Sequence, residues 1–269
     1  MILRVISCLV IITLYSCKYE KPAFRYSNYN NTPVENIVKA IKKEEISTIR
    51  REVKKGVNIN FKDKKYDLPL LSLAIIKDKK KSFLELLKLK ANPNVQDKDC
   101  EPPLILAIRY NQDCNLFYIK NLLKYGANVT PELFKRCNYF THDPIIETIL
   151  HYNDENRIKC GISILNLLIE KTNSARVLLS YNNSSDYRAG VVFNCLSTNN
   201  LYALKYLIVD LGYSFPDKIF IDGTVLLNHH GFYTLEYILN NKQFVFENSK
   251  KKEQTKNEIL NFLKKNKAV

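Results

Sequence analysis

The side chains able to do chemistry are few, and their spacing limits what they can do. The chain has four histidines, His142, His151, His229 and His230. A hydrolytic zinc site on one helix needs two imidazoles a turn apart with a carboxylate beside them, as in His-Glu-x-x-His. No such spacing occurs. His142 and His151 fall at opposite ends of one expected helix, too far apart for one metal, and the His229-His230 pair reads as structural or solvent-facing. Cys100, Cys114, Cys137, Cys160 and Cys195 never fall as Cys-x-x-Cys, so a zinc knuckle is unsupported. They are expected as buried thiols, small hydrophobes in effect, with room for one disulfide whose partners the sequence does not assign. With only seven glycines there is no Gly-x-Ser-x-Gly, no phosphate loop and no Gly-x-Gly-x-x-Gly. The carboxylates are scattered, with no pair on one catalytic face. The sequence therefore predicts no catalytic residue, no metal, no cofactor and no enzyme.

One cysteine has a different context. Arg4 precedes a ten-residue apolar run, Val5 to Leu14, which ends in Tyr15-Ser16-Cys17. A bilayer span needs about 20 apolar residues, so the run fits the middle of a secretory signal instead. The ending Leu14-Tyr15-Ser16-Cys17 resembles the bacterial lipoprotein box. In that family the cysteine becomes the new N-terminus and carries lipid. The resemblance implies a signal peptide over 1–16 and lipidation at Cys17. It also implies a membrane-anchored lipoprotein of the cell envelope, facing the periplasm or the cell surface. Residues 18–32 are polar, rich in Tyr and Asn and aperiodic, so 17–32 is expected to be a tether. An odd number of cysteines is notable for an oxidising compartment.

The elements that position the remaining residues repeat. Pro69-Leu70-Leu71-Ser72-Leu73-Ala74-Ile75 is followed by Phe83-Leu84-Glu85-Leu86-Leu87 and Ala91-Asn92-Pro93-Asn94. Pro102-Pro103-Leu104-Ile105-Leu106-Ala107-Ile108 is followed by Ile119-Lys120-Asn121-Leu122-Leu123 and Gly126-Ala127-Asn128-Val129. Leu71 to Leu104 and Ala74 to Ala107 are steps of 33 residues. A fixed period of roughly 20 to 50 residues signals stacked supersecondary units. Proline is tolerated at a helix's first turn, where its missing N–H has no partner. Leu71, Ala74 and Ile75 lie at i, i+3 and i+4, one helical stripe. Gly126 after an apolar run reads as a left-handed helix C-cap.

These segments resemble the ankyrin repeat in type, order and spacing. The resemblance implies an all-α solenoid of about six stacked helix-turn-helix units with degenerate terminal caps, covering 33–269 with a C-terminal capping helix. Unit one begins at Pro33, and its second helix carries Arg51 and Glu52, expected on a water-facing end. Units two and three are those quoted above. Unit four starts at Asp143-Pro144-Ile145-Ile146 and continues through Ile164–Ile169. A long loop, Tyr152 to Cys160, separates its helices, and about ten extra residues from Glu132 to His142 precede it. Unit five runs from Gly190 to Gly212 with Cys195 at the Ala position, after a turn-rich insertion at 181–186. Unit six, Thr224 to Leu239, is the most degenerate, and the segment 252–265 is a closing cap.

The resemblance further implies function by binding another protein, because in that family hairpin tips and first helices carry the contacts. Here those tips are 61–67 and 96–101, which offer Lys62, Lys64, Lys65 and Tyr66, then Asp97, Lys98 and Asp99. Exported bacterial ankyrin proteins include immunity proteins, so the expectation is a tethered monomer that holds or inhibits a protein partner outside the cytoplasm. Two other classes stay open. The net charge of +14 suits an acidic polymer or an anionic membrane, although lysines spread over every unit are a weak footprint for nucleic acid. An enzyme site would have to lie in the insertions at 132–142 and 181–188. Lys77 to Lys81 and Lys250 to Lys252 are expected to be solvated turns.

Overall fold

The computed structural model describes residues 22–111, 113–129, 143–171, 185–212, 215, 217–221, 231–241 and 250–267. The expected signal peptide, Cys17, Cys137, His142, His229 and His230, the insertion at 132–142 and residues 181–184 lie outside the described residues. Helix dominates what is described, and the chain divides into two compact units, Met1–Pro103 and Leu104–Val269.

In the first unit the helices are α1 (Glu35–Lys43), α2 (Ile46–Lys54), α3 (Leu70–Ile76) and α4 (Lys80–Lys88). Their apolar stripes form the core. Ile37, Val38, Ala40 and Ile41 of α1 are buried together with Leu70, Leu71, Leu73, Ala74 and Ile75 of α3 and Phe83, Leu86 and Leu87 of α4. Helix α1 packs on α2, α3 on α4, and α4 also reaches α1 and α2. The helix ends repeat with a period of 34 residues. Glu45 N–H donates to Ala40 O at 2.9 Å and Lys79 N–H to Ala74 O at 2.8 Å. The residues before those donors, Glu44 and Asp78, sit at φ 57° and 48°. That is the six-to-one closure of a left-handed C-cap. The second helices end alike, with Val57 N–H on Glu52 O (3.3 Å) and Ala91 N–H on Leu86 O (2.9 Å). The left-handed residue there is Gly56 in one copy and Lys90, at φ 68°, in the other.

Two expectations need correction here. Residues 22–32 belong to the folded unit and are no structureless tether. They form two short 3₁₀ turns, Pro22–Phe24 and Tyr26–Tyr29. Tyr29 is fully buried, and its hydroxyl donates to Leu68 O at 2.5 Å. Burial, and then nearby Asp63, pushes the Tyr29 phenol well above its usual range. Sequence polarity hid this, because a tyrosine buries its ring when its hydroxyl finds a partner. Lys77 lies in a turn as expected but is only half-exposed. Its ammonium lies 5.1 Å from the Tyr26 ring centroid, and burial lowers its pKa. Glu52, expected on a wet face, is 6 % exposed beneath Lys55 at 2.9 Å and Arg51 at 3.4 Å.

The second unit contains α5 (Pro103–Arg109), α6 (Phe117–Lys124), α7 (Pro144–His151), α8 (Ile158–Lys171), α9 (Ser185–Ser197) and α10 (Leu201–Lys205). Helix α10 runs into one π-turn, Tyr206–Asp210. Then follow strands β1 (Ile219–Ile221) and β2 (Gly231–Tyr233), helix α11 (Leu235–Asn240) and the closing helix α12 (Lys250–Lys267). Gly126 is left-handed at φ 89°, and Ala127 N–H closes on Leu122 O at 2.8 Å, as its position in sequence predicts. Asn200 N–H on Cys195 O at 2.7 Å repeats the first-helix closure with Cys195 at the Ala position. Helix α7 begins as Asp143-Pro144 predicts, the Asp143 carboxylate accepting from Ile145 and Ile146 N–H at 2.8 and 3.1 Å. Helix α12 packs on α10 and α11 and buries Ile259 and Leu260.

The long loop after α7 ends sooner than its sequence suggests. Asp154 accepts from Asn156 and Arg157 N–H at 2.9 and 3.0 Å, so α8 starts at Ile158 and carries Cys160 inside it. Gly161 is required there, because an added Cβ would meet Tyr152 Cβ at 2.6 Å. Strands β1 and β2 pair antiparallel, Phe220 opposite Phe232. This small ribbon adds little strand to a mostly helical chain, which is consistent with the all-α expectation.

Candidate functional site

The two expected hairpin tips lie in the first unit, and each is built on a buried or half-buried aspartate. Asp63 is fully buried. Its Oδ1 accepts from Lys65 N–H at 2.9 Å and Tyr66 N–H at 2.8 Å, and its Oδ2 accepts from Leu68 N–H at 2.8 Å. Thirty-four residues on, Asp97 Oδ1 accepts from Asp99 N–H at 3.0 Å and Glu101 N–H at 2.9 Å. Each tip then takes one left-handed residue, Asp67 at φ 53° and Cys100 at φ 63°. That step is 33 residues, so the first tip carries one residue more. An aspartate folding its own downstream backbone in this way makes a turn without help from its neighbours.

The tips are joined to each other. Lys98 N–H donates to Tyr66 O at 2.9 Å, Lys62 Nζ donates to Gln96 O at 2.9 Å, and Asn92 N–H donates to Asn60 Oδ1 at 2.8 Å. Lys62 also stands 3.9 Å from Asp67, and Cys100 is disulfide-bonded. The resulting double loop presents exposed Lys64, Lys65, Lys98 and Asp99, with half-exposed Tyr66 between them. The Lys65 ammonium lies 5.2 Å from the Tyr66 ring centroid.

The seven expected contact residues thus divide. Lys64, Lys65, Tyr66, Lys98 and Asp99 face outward, whereas Lys62 and Asp97 mainly hold the loops together. Asp97 shows the cost of that task. Burial, with the neighbouring Glu101 and Asp99 carboxylates, pushes its pKa up to about 6 against the pull of its two backbone donors. Sequence reasoning missed Asp63 as the organiser of the first tip. The signal was its repeat at Asp97, since a polar residue kept in register with the period marks a structural duty.

Elsewhere the charged groups pair tightly. Arg50 grips buried Glu85 at 2.6 and 3.0 Å and holds that carboxyl below its usual range. In the second unit Arg109 grips Glu147, 1 % exposed, at 2.7 and 3.1 Å. His151 Nδ1 stands 3.1 Å from the same carboxylate, which makes it a structural histidine on α7. No group of His, Cys, Asp or Glu among the described residues is placed to hold a metal ion. No described helix is long and apolar enough to cross a membrane. No protein-family model matches the chain, and no curated protein matches it.

Proposed function

We propose that this chain is a repeat protein of ankyrin type, tethered outside the cytoplasm, that binds a protein partner stoichiometrically through the joined tips 61–67 and 96–101. The observation that carries the reading is the double loop itself. Its backbone is satisfied internally by Asp63, Asp97 and the Lys98–Tyr66 bond, which leaves a tyrosine and mixed charges outward on a preorganised surface. Preorganisation lowers the ordering cost of association, and a tyrosine ringed by charge suits an interface anchor with electrostatic steering. The 34-residue recurrence of cap bonds and Asx loops supports the stacked-repeat reading. A partner held or inhibited by tight binding, as by an immunity protein, fits this preorganised surface; among the described residues no group is placed to hold a metal ion.

Export is supported by the disulfide between Cys114 and Cys160, because such bonds persist in oxidising compartments. Lipidation at Cys17 follows from the Leu-Tyr-Ser-Cys ending of the apolar run. Cys17→Ser should move the protein from the membrane to the soluble fraction, and a wild-type chain that is itself soluble with residues 1–16 intact would end the lipoprotein reading. For the interface, a photoreactive amino acid at position 66 should cross-link one discrete protein in cells, whereas the same group at exposed position 39 should not. Equal labelling from both positions would rule out the tips as the contact surface.

A further inference from the structure

We propose that the groove between α6 and α8 in the second unit is a separate docking site for an acidic segment of a protein partner, one that carries an aliphatic side chain among its carboxylates. The proposal rests on the protein-binding reading above but concerns a different surface. The groove is open to solvent, encloses about 280 Å³ and is lined by Lys120, Leu123, Lys124, Leu167, Glu170 and Lys171. The two helices contribute matching stripes. Lys120, Leu123 and Lys124 stand at i, i+3 and i+4 on α6, and Leu167, Glu170 and Lys171 at i, i+3 and i+4 on α8. Residues at that spacing share one helical face, so both helices turn a leucine and a lysine into the same furrow.

The charge in this furrow is unbalanced. Some lysines elsewhere find carboxylates, as Lys39 does at Glu35, Lys55 at Glu52, Lys205 at Asp210 and Lys256 at Glu253. Among the described residues no ion pair engages Lys120, Lys124 or Lys171. Three exposed ammoniums therefore surround a leucine floor with Glu170 as the one carboxylate. Lysine stems lie along apolar surface while their heads stay in water, which deepens the furrow without neutralising it. A carboxylate-bearing segment with a Leu-like side chain answers both features, its acids meeting the ammoniums and its aliphatic group meeting Leu123 and Leu167. A phosphate polymer or an anionic headgroup layer would meet the ammoniums but leave Leu123 and Leu167 unused.

The test uses the full chain and a fluorescent twelve-residue peptide alternating Glu with Leu. An all-Glu peptide, a single-stranded oligonucleotide and phosphatidylglycerol vesicles serve as competitors. The expected result is saturable binding of the Glu/Leu peptide that falls tenfold or more in K120E/K124E and in K120Q/K124Q, and several-fold in Leu167→Ser. It should weaken with added salt, as exposed ion pairs are screened. Both lysine variants change exposed helix positions, and unchanged melting curves confirm that they fold. The proposal is overturned if the Glu/Leu peptide does not bind at millimolar concentration. It is equally overturned if the all-Glu peptide, the oligonucleotide or the vesicles compete as well as the Glu/Leu peptide itself, or if the Lys variants bind undiminished. Loss of peptide binding in Lys64→Glu with Tyr66→Ala, but not in the α6 variants, would move the acidic site to the tips. That outcome overturns the groove while leaving the protein-binding reading intact.

Discussion

Asp97 combines two duties that conflict. Its carboxylate must accept from Asp99 and Glu101 N–H to shape the tip, yet burial and the nearby acids disfavour its charge. The folded chain therefore holds this proton up to about pH 6, whereas an unfolded aspartate releases it near 3.9. The folded state binds the extra proton between those values, so this group favours folding most below about pH 4 and loses that contribution as pH rises through about 6. Asp97→Asn keeps an oxygen to accept both bonds and removes the charge. Melting at a series of pH values should find the variant more stable than wild type at pH 7 by about 1 kcal/mol, after allowance for solvent screening of a partly exposed group. That gap should close by pH 4. A difference that is independent of pH would show that the carboxylate is not strained by its setting. Because Lys98 and Asp99 hang on this loop, its protonation also bears on the surface they present.

At the scale of elements, what was legible in the sequence was whatever depends on local pattern. The stripe Leu71, Ala74, Ile75 and its copy Leu104, Ala107, Ile108 are buried as their spacing predicts, and Gly126 caps α6. The features not legible there depend on a partner distant in the chain. Tyr29 enters the core because Leu68 offers an acceptor 39 residues away. The pairing of Cys114 with Cys160 requires α8 to begin early enough to carry Cys160 inward. Lys77 is half-covered because the Tyr26 ring comes to lie 5.1 Å from its ammonium. The repeat itself exposes one local flaw. Lys90 holds the left-handed cap position that glycine fills at Gly56 and Gly126. A side chain in that conformation costs roughly 1–2 kcal/mol, partly offset by the greater unfolded-state freedom of glycine. Lys90→Gly should therefore stabilise the chain by up to about 1 kcal/mol and raise its melting temperature by roughly 2–4 °C, while Lys90→Val should lower it. A fall in melting temperature with glycine would mean that the Lys90 side chain, not its backbone, is what the cap uses.

At the scale of the whole molecule, the described residues are mostly helical. The Cys114–Cys160 bond closes 46 residues of chain, and a loop of that length removes about 4 kcal/mol of unfolded-state freedom in the chain-entropy picture. Such a staple suits a chain that works where thiols oxidise. The central claim is that the joined tips are the binding surface, and it implies that binding and stability can be separated. Lys64, Tyr66 and Lys98 lie in turns whose backbone is held by Asp63 and Asp97, so their side chains are dispensable to the fold; surface changes of this kind usually stay within about 0.5 kcal/mol. The decisive measurement is titration calorimetry of the cross-linked partner, once purified, against wild type and the triple variant Lys64→Glu, Tyr66→Ala, Lys98→Glu. Wild type should bind one to one. The variant should melt at the wild-type temperature and bind at least tenfold more weakly, with the loss greatest at low salt, where steering by these lysines is strongest. Undiminished affinity in a folded triple variant would contradict the claim.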